Sequence, residues 1–309
     1  MELRELRYFL AVAREESITK AAESLYIAQP SLTKQMQNLE KEIGRPLFLR
    51  GSRRITLTET GILLKKRAEE LLALYEKTEA EILAPEDTVC GDVFIGGGES
   101  YAVQTVAKAA KSVQDDYPLV RFSFLSSDAG DVMERLDKGL IDFGILVDLT
   151  DHPGLSKYHS IRLPQSDTWG VLMRKDSPLA AKERITADEL RQQPLICSLQ
   201  SLRKGSRIYE WFGGRMEGLR LMGRYNLLYN ATLLVREGIG YAISLERLIN
   251  TTGESELCFR PLWPAVETHL DIVWKRYAVF SRPAQVFLDR LRMLIGAAAD
   301  APDAPEKES

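Results

Sequence analysis

Apolar positions recur at helical spacing three times in the first 45 residues. Leu3, Leu6, Leu10 and Ala13 lie at steps of three, four and three, which predicts one face of a helix. Glu15-Glu16-Ser17 interrupts it. Ser17 or Thr19 caps a second helix whose face is Ile18, Ala21, Ala22 and Leu25. Tyr26-Ile27-Ala28 is a short connection, and Pro30 suits the first turn of a third helix, where no N–H is needed. Leu32, Met36, Leu39 and Ile43 form that helix's buried face, and Gly44 ends it. Leu47-Phe48-Leu49 and Ile55-Thr56-Leu57-Thr58 then read as two short extended pieces around a Gly51-Ser52 tip. From Glu59 the period is helical again. Leu64, Ala68, Leu71, Tyr75, Thr78 and Ile82 make an a/d seam that Thr58 opens and Pro85 closes. A helix over 59–84 is about 39 Å long at 1.5 Å per residue, and its apolar stripe needs a partner. A second copy of the chain is favoured over the chain's own domain.

The pattern changes character near residue 90. Asp92 to Gly96 predicts a buried strand, and Val103, Val106, Ala107, Ala110 and Val113 a helix. Val120, Phe122 and Phe124 alternate as in a strand. Val132, Met133, Leu136 and Leu140 are helical, and Phe143 to Val147 is a strand. This β-α-β-α-β order argues for a parallel α/β sheet. A second α/β set starts near Thr168. It has strands at 169–173, 195–197 and 269–274, and helices after the capping box Thr186-Ala187-Asp188-Glu189, near 203–212, near 231–237 and at 283–294. The tail from Asp300, rich in Ala, Pro and Glu, is expected to be disordered.

Charge sharpens this division. The 309 residues carry a net −3, but residues 1–66 hold 12 Lys and Arg against 8 Asp and Glu, leaving about −7 for the rest. A basic head on an acidic body suggests one nucleic-acid-binding end. At about 100° per residue, Pro30, Lys34, Gln37 and Lys41 face away from the core of the third helix, flanked by Ser31, Thr33 and Asn38. The major groove admits a helix, and such side chains can read base edges or bind phosphate there. The extended pair carries Arg50, Arg53 and Arg54, as a wing beside a helix-turn-helix would, where arginines meet phosphates or a narrow minor groove. Gln29, Pro30, Ser31, Thr33, Lys34, Gln37, Arg50, Arg53 and Arg54 are therefore the candidate DNA-binding residues. No apolar run reaches the ~18 residues of a membrane helix. The N-terminus has no secretory pattern, and the three cysteines (Cys90, Cys197, Cys258) cannot all pair. A cytoplasmic protein is expected. The three histidines show no ligand spacing, so neither metal nor cofactor is expected.

Leu6-Arg7-Tyr8-Phe9, the run from Ser17 to Leu25, Ala28-Gln29-Pro30-Ser31-Leu32-Thr33-Lys34-Gln35, the run from Leu39 to Phe48 and Leu57-Thr58-Glu59-Thr60-Gly61 together resemble the N-terminal domain of LysR-type transcriptional regulators. The match is nearly continuous over residues 1–66. In the body the resemblance rests on Gly139-Leu140-Ile141-Asp142-Phe143-Gly144-Ile145 and Leu234-Val235-Arg236-Glu237-Gly238-Ile239-Gly240. It implies an α/β protein with an N-terminal winged helix-turn-helix (1–58), a linker or dimerisation helix (59–88) and a two-lobed, periplasmic-binding-protein-like effector domain (89–300). Lobe one would be 90–162 with 268–300, and lobe two 163–267, with 301–309 as tail. It implies dimerisation through the linker helix at Leu64, Leu71, Tyr75 and Ile82, assembly as a homodimer or homotetramer, and double-stranded operator DNA, a small-molecule effector and RNA polymerase as partners.

Ligands of open α/β sheets gather at strand carboxyl ends and helix N-termini. Ser100 and Ser127 follow the first two strands of lobe one, Ser201 follows the Cys197 strand, and Asn230 opens a late helix. These four are the candidate effector contacts, with simple helix capping as the competing explanation for each. Glu99 would oppose an anionic effector there. Two other functions compete. Gly96-Gly97-Gly98 after a strand hints at a phosphate loop, but it lacks the G-x-G-x-x-G spacing and a P-loop Lys, and no G-x-S-x-G or HExxH occurs, so no enzyme is expected. Cys197 and Cys258 could form a redox switch, although Cys197 sits in an apolar run where a buried inert thiol is the rule.

Overall fold

The computed structural model describes residues 1–51, 54–85, 87–149 and 155–299. Arg53, the side chain of Arg50 and the tail 301–309 lie outside the described residues. Contacts divide the chain into two units, 1–84 and 85–309.

The first unit opens with α1 (Leu3–Glu15), α2 (Ile18–Ser24) and α3 (Gln29–Ile43). Ser17 caps α2 by accepting from the Lys20 N–H, so of the two candidates it is Ser17 and not Thr19. Gly44, at φ 72°, ends α3. Leu32, Met36 and Leu39 are buried as the pattern required, with Ile43 packed at the edge. The face of α1 is turned from the expected one. Leu3 is exposed, while Phe9 and Val12 are fully buried against α2 and α3. Leu6 and Leu10 instead meet α4 (Glu59–Leu83). A helix packed on two sides needs two apolar faces, and a single 3-4-3 register describes only one of them. β1 (Phe48–Arg50) and β2 (Ile55–Leu57) pair antiparallel in the register Phe48–Leu57, Leu49–Thr56 and Arg50–Ile55.

α4 begins at Thr58, whose hydroxyl accepts from the Gly61 N–H at 2.9 Å and donates to the Pro46 carbonyl at 2.8 Å. Ala68 and Leu72 of its inner face pack on α1, Leu64 joins that cluster, and Gly61 faces Leu47 and Leu57. This corrects one expectation: Leu64 is engaged within its own domain. Leu63, Leu71, Leu74, Tyr75 and Ile82 are exposed, Ile82 at 75%, and form a second apolar stripe about 100° round the helix from the buried one.

In the second unit, β3 (Gly91–Gly97), α5 (Val103–Asp116), β4 (Val120–Ser126), α6 (Ala129–Asp137) and β5 (Phe143–Val147) follow the predicted order. β3 pairs parallel with both β4 and β5. The sheet continues antiparallel through β12 (Glu267–Lys275) to β6 (Tyr158–Arg174). Val106, Ala109 and Val113 of α5 and Ala284, Phe287 and Leu291 of α10 (Arg282–Ala299) cover it, with Phe143 packed on Trp274, Phe280 and Phe287.

The sequence pattern showed only part of β6. Only residues 169–173 were expected to be extended, yet the strand runs for 17 residues and serves two sheets. Up to Thr168 it pairs with β12; from Trp169 it pairs with β10 (Tyr241–Leu245). The lobe change therefore falls between Thr168 and Trp169, not at 162/163. The return crossing lies at Val266–Glu267, where the Trp169 N–H donates to the Val266 carbonyl at 2.8 Å.

Lobe two holds the parallel strands β8 (Pro194–Ser198), β9 (Arg220–Tyr225) and β10, with β8 in the middle, and β11 (Leu257–Trp263) on β6. β11 also pairs with the two-residue β7 (Ile185–Thr186). Three helices complete the lobe: α7 (Ala187–Arg191), α8 (Arg207–Trp211) and α9 (Leu228–Arg236). The Thr186/Glu189 capping box forms as expected. Strands β7, β9, β10 and β11 were not predicted; β9 alternates exposed with half-buried residues and buries none fully, with Arg220, Met222 and Arg224 on its outer face.

Candidate functional site

Two surfaces carry the candidate residues, one in each unit. In the first, α3 presents Gln29, Pro30, Ser31, Lys34 and Gln37 fully exposed, and Thr33 partly so. The Thr33 hydroxyl donates back to the Gln29 carbonyl at 2.9 Å and accepts from Gln29 Nε2 at 3.3 Å. These bonds tie Thr33 and Gln29 together in the first turn of α3. The α2–α3 turn bends through Tyr26, at φ 56° and 96% exposed. A bulky residue in left-handed backbone is uncommon and strained. On the hairpin, Arg54 is exposed and reaches Glu16 Oε2 at 3.5 Å. Contact of that length and exposure is worth little and leaves the guanidinium available to another anion.

In the second unit the candidate effector residues divide between the lobes: Ser100 and Ser127 follow β3 and β4 of lobe one, whereas Ser201 follows β8 and Asn230 lies in α9 of lobe two. Ser100 is buried. Its hydroxyl donates to Asp167 Oδ2 at 2.5 Å and accepts from the Ala102 N–H at 3.0 Å. Asp167 has no exposed surface, and its Oδ1 has no hydrogen-bond partner. Burial raises its pKa, against the Ser100 bond and the Arg247 charge, which lower it. Ser127 donates to Asp131 Oδ2 at 2.6 Å. Ser201 is buried in the loop after β8, donating to the Ser198 carbonyl. Asn230 is exposed in the first turn of α9. The three serine protons are thus already given to protein acceptors, which leaves these hydroxyls as acceptors toward a ligand.

Charged residues stand at the same strand ends; of these the sequence reading weighed Glu99, but not the partners that these groups take. Asp148, the residue after β5, takes two bonds from the Arg207 guanidinium (2.5 and 2.9 Å), one from the Thr268 hydroxyl (2.6 Å) and one from the His269 N–H (3.3 Å). Glu99 Oε2 accepts from the Leu228 N–H at the start of α9, at 2.6 Å. Asp128, which caps α6, stands 3.8 Å from Arg203. Arg247 stacks on the Tyr101 ring with its guanidinium carbon 4.3 Å from the centroid. For the three carboxylates the sequence signal was present: each lies within two residues of a strand end.

The competing functions lose their support in the structure. Gly96 and Gly97 lie inside β3. A Cβ on Gly96 would meet Ile141 Cδ1 at 2.8 Å, and one on Gly97 would meet Ile145 Cβ at 2.9 Å. These glycines let β5 and its loop approach β3; they do not cradle phosphate. Cys197 is fully buried, and burial pushes its thiol up to about 12; burial raises Cys258 too. Thiolates are the reactive form, so both are poorly suited to redox sensing. Among the described residues no cluster of His, Cys, Asp or Glu could hold a metal, and no helix is long and apolar enough to cross a membrane.

Residues 3–62 match the model of the bacterial regulatory helix-turn-helix proteins of the lysR family, and residues 86–295 that of the LysR substrate binding domain. The uncharacterised HTH-type transcriptional regulator YybE of Bacillus subtilis (strain 168) is 27% identical over 287 residues, covering 93% of this chain and 97% of its own. The HTH-type transcriptional regulator AlsR of the same organism is 33% identical over 199 residues, covering 63% and 64%. Among solved structures, full-length CbnR complexed with its target DNA superimposes with a TM-score of 0.73 at 18% identity, over 95% of this chain and all of that one. HinK, from Pseudomonas aeruginosa, follows with a TM-score of 0.54 at 22% identity, over 96% and 99%.

Proposed function

The chain belongs to the LysR family of bacterial helix-turn-helix regulators and is a DNA-binding transcriptional regulator with an effector-binding domain; from that premise we propose how its residues divide the work. Residues 1–58 bind operator DNA. α3 enters the major groove, Gln29, Ser31, Thr33 and Gln37 bias sequence choice, and Lys34 neutralises a phosphate. The hairpin acts as a wing, with Arg50, Arg53 and Arg54 on the backbone or minor groove. The observation that carries this reading is the exposed polar and basic face of α3 beside the antiparallel hairpin. α4 pairs with a second copy through its free stripe, and a homodimer or homotetramer would set two recognition helices on two half-sites. A small molecule binds between the lobes of the second unit, near Ser100, Ser127, Ser201 and Asn230, and its preference for one lobe arrangement alters the DNA-bound form. The protein acts in the cytoplasm, does not transform its effector, and passes its signal to RNA polymerase.

The test is binding to an operator duplex selected from a random pool. Each phosphate contact contributes about −0.9 to the slope of log affinity against log salt. Lys34→Ala and Arg54→Ala should each weaken binding and flatten that slope by about one contact. Wild-type affinity and slope in both variants would remove α3 and the hairpin from the interface.

A further inference from the structure

Three parallel strands of lobe one end in the cleft, and each is followed within two residues by a carboxylate that crosses to lobe two. After β3, Glu99 meets the Leu228 N–H; after β4, Asp128 faces Arg203; after β5, Asp148 grips Arg207 through both oxygens. α9 has no side-chain cap of its own at Leu227, so Glu99 supplies from the opposite lobe what a cap residue would supply locally. Asp148 is the strongest of the three. It is 15% exposed and held in place by Thr268 and His269 from β12, and a bidentate arginine–carboxylate pair has both charge and fixed geometry.

We propose that these contacts form an interlobe latch built from the chain's own carboxylates, and that the effector is an anionic small molecule with two or more acid groups that replaces them at Arg203 and Arg207. This rests on the reading of the cleft as the effector site. The cationic groups of lobe two already hold carboxylates, which defines the chemistry they accept. The latch carboxylates are tethered, so their effective concentration at the arginines is in the millimolar range or above. A monoacid loses that competition. A compact polyacid engages both arginines at once and repels Glu99, Asp128 and Asp148. Ligand binding and latch opening are therefore one equilibrium, and the apparent affinity of the ligand is reduced by the fraction of molecules that remain latched.

The experiment uses the full chain with citrate as the polyacid and acetate as the monoacid, in wild type, Asp148→Asn, Glu99→Gln/Asp148→Asn and Arg207→Gln. Asparagine keeps an acceptor for Thr268 and tolerates the φ of 45° at position 148. Calorimetry should show citrate binding the double variant at least about tenfold more tightly than wild type, acetate binding neither, and Arg207→Gln losing the citrate site. Amide exchange in 203–207 and 228–231 should accelerate in every unlatched variant, Arg207→Gln included. Glu99→Gln alone, which leaves Asp148 in place, gives the exchange readout at 228–231 if a change at Asp148 prevents folding. Unchanged exchange, or citrate affinity no higher in the unlatched variants, overturns the latch while leaving operator binding untouched. Citrate binding that is equal in all variants, Arg207→Gln among them, places the anion outside the cleft and removes the effector-site reading with it.

Discussion

At Gly61 a single hydrogen decides whether the first turn of α4 can lie against β1. A Cβ built there would stand 2.2 Å from the Leu47 carbonyl oxygen and 3.0 Å from Leu57 Cδ2. The first contact is with backbone, which cannot rotate away, and the same carbonyl accepts the Thr58 N–H at 3.0 Å. Gly61→Ala would normally stabilise a helix by up to about 1 kcal/mol. Here overpacking outweighs that gain, and the variant should lose about 1–3 kcal/mol, read as a lower urea midpoint with an unchanged slope. A midpoint equal to or above that of wild type would show that the hairpin moves aside freely. The same reasoning separates residues whose role is packing from those whose role is chemistry. Gly96 and Gly97 looked like a phosphate loop because glycine after a strand serves two purposes, and only the neighbours, Ile141 and Ile145, distinguish them.

At the scale of elements, α4 shows what periodicity reveals and what it hides. The stripe from Leu64 to Ile82 was visible in the sequence because steps of three and four do not depend on the partner. The partner was not visible, since two adjacent apolar faces overlap in one register: Ala68 and Leu64 lie on α1, while Leu71, Tyr75 and Ile82 are exposed. α2 and α3 were legible for the opposite reason, each having one buried face and clear caps at its ends, and β5 as a short run buried on both faces. β6 was legible only in part. Its first half is mostly exposed or half-buried, with Tyr158, Leu163 and Asp167 buried, and its second half is a buried run, so no single period covers 158–174. In the cleft, serines at strand ends were readable as polar candidates, but the pairing of Asp148 with Arg207 spans 59 positions and has no local signature. The free stripe of α4 carries its own prediction. Leu71 is 46% exposed in the single chain, so Leu71→Asp costs the isolated fold little. In a paired helix it would bury an unpaired charge, which is strongly unfavourable. Sedimentation should show the dimer dissociating with the chain still folded, and operator affinity falling as the second half-site is lost. An unchanged assembly state would assign the stripe to another surface.

For the whole molecule the operator site and the effector site lie in different units of the chain, 1–84 and 85–309. Coupling in such an arrangement is a difference in how operator and anion prefer the latched and unlatched forms, and it is reciprocal. If citrate changes operator affinity by some factor, operator changes citrate affinity by the same factor, typically 5–150-fold for coupling of about 1–3 kcal/mol. The comparison has to be made at one ionic strength, because citrate also adds salt and operator affinity falls steeply with salt. With ionic strength balanced by potassium chloride, the two factors should agree in the full chain carrying Asp148→Asn, where citrate affinity is high enough to measure. Leu71→Asp should reduce both factors together, because a monomer has no second half-site whose spacing the lobes could alter. Equal factors that survive in the monomer would move the coupling into the single chain, through the segment that follows α4. A citrate effect on operator affinity with no operator effect on citrate would mean that the anion acts at the DNA interface itself, by competing for Lys34 and Arg54.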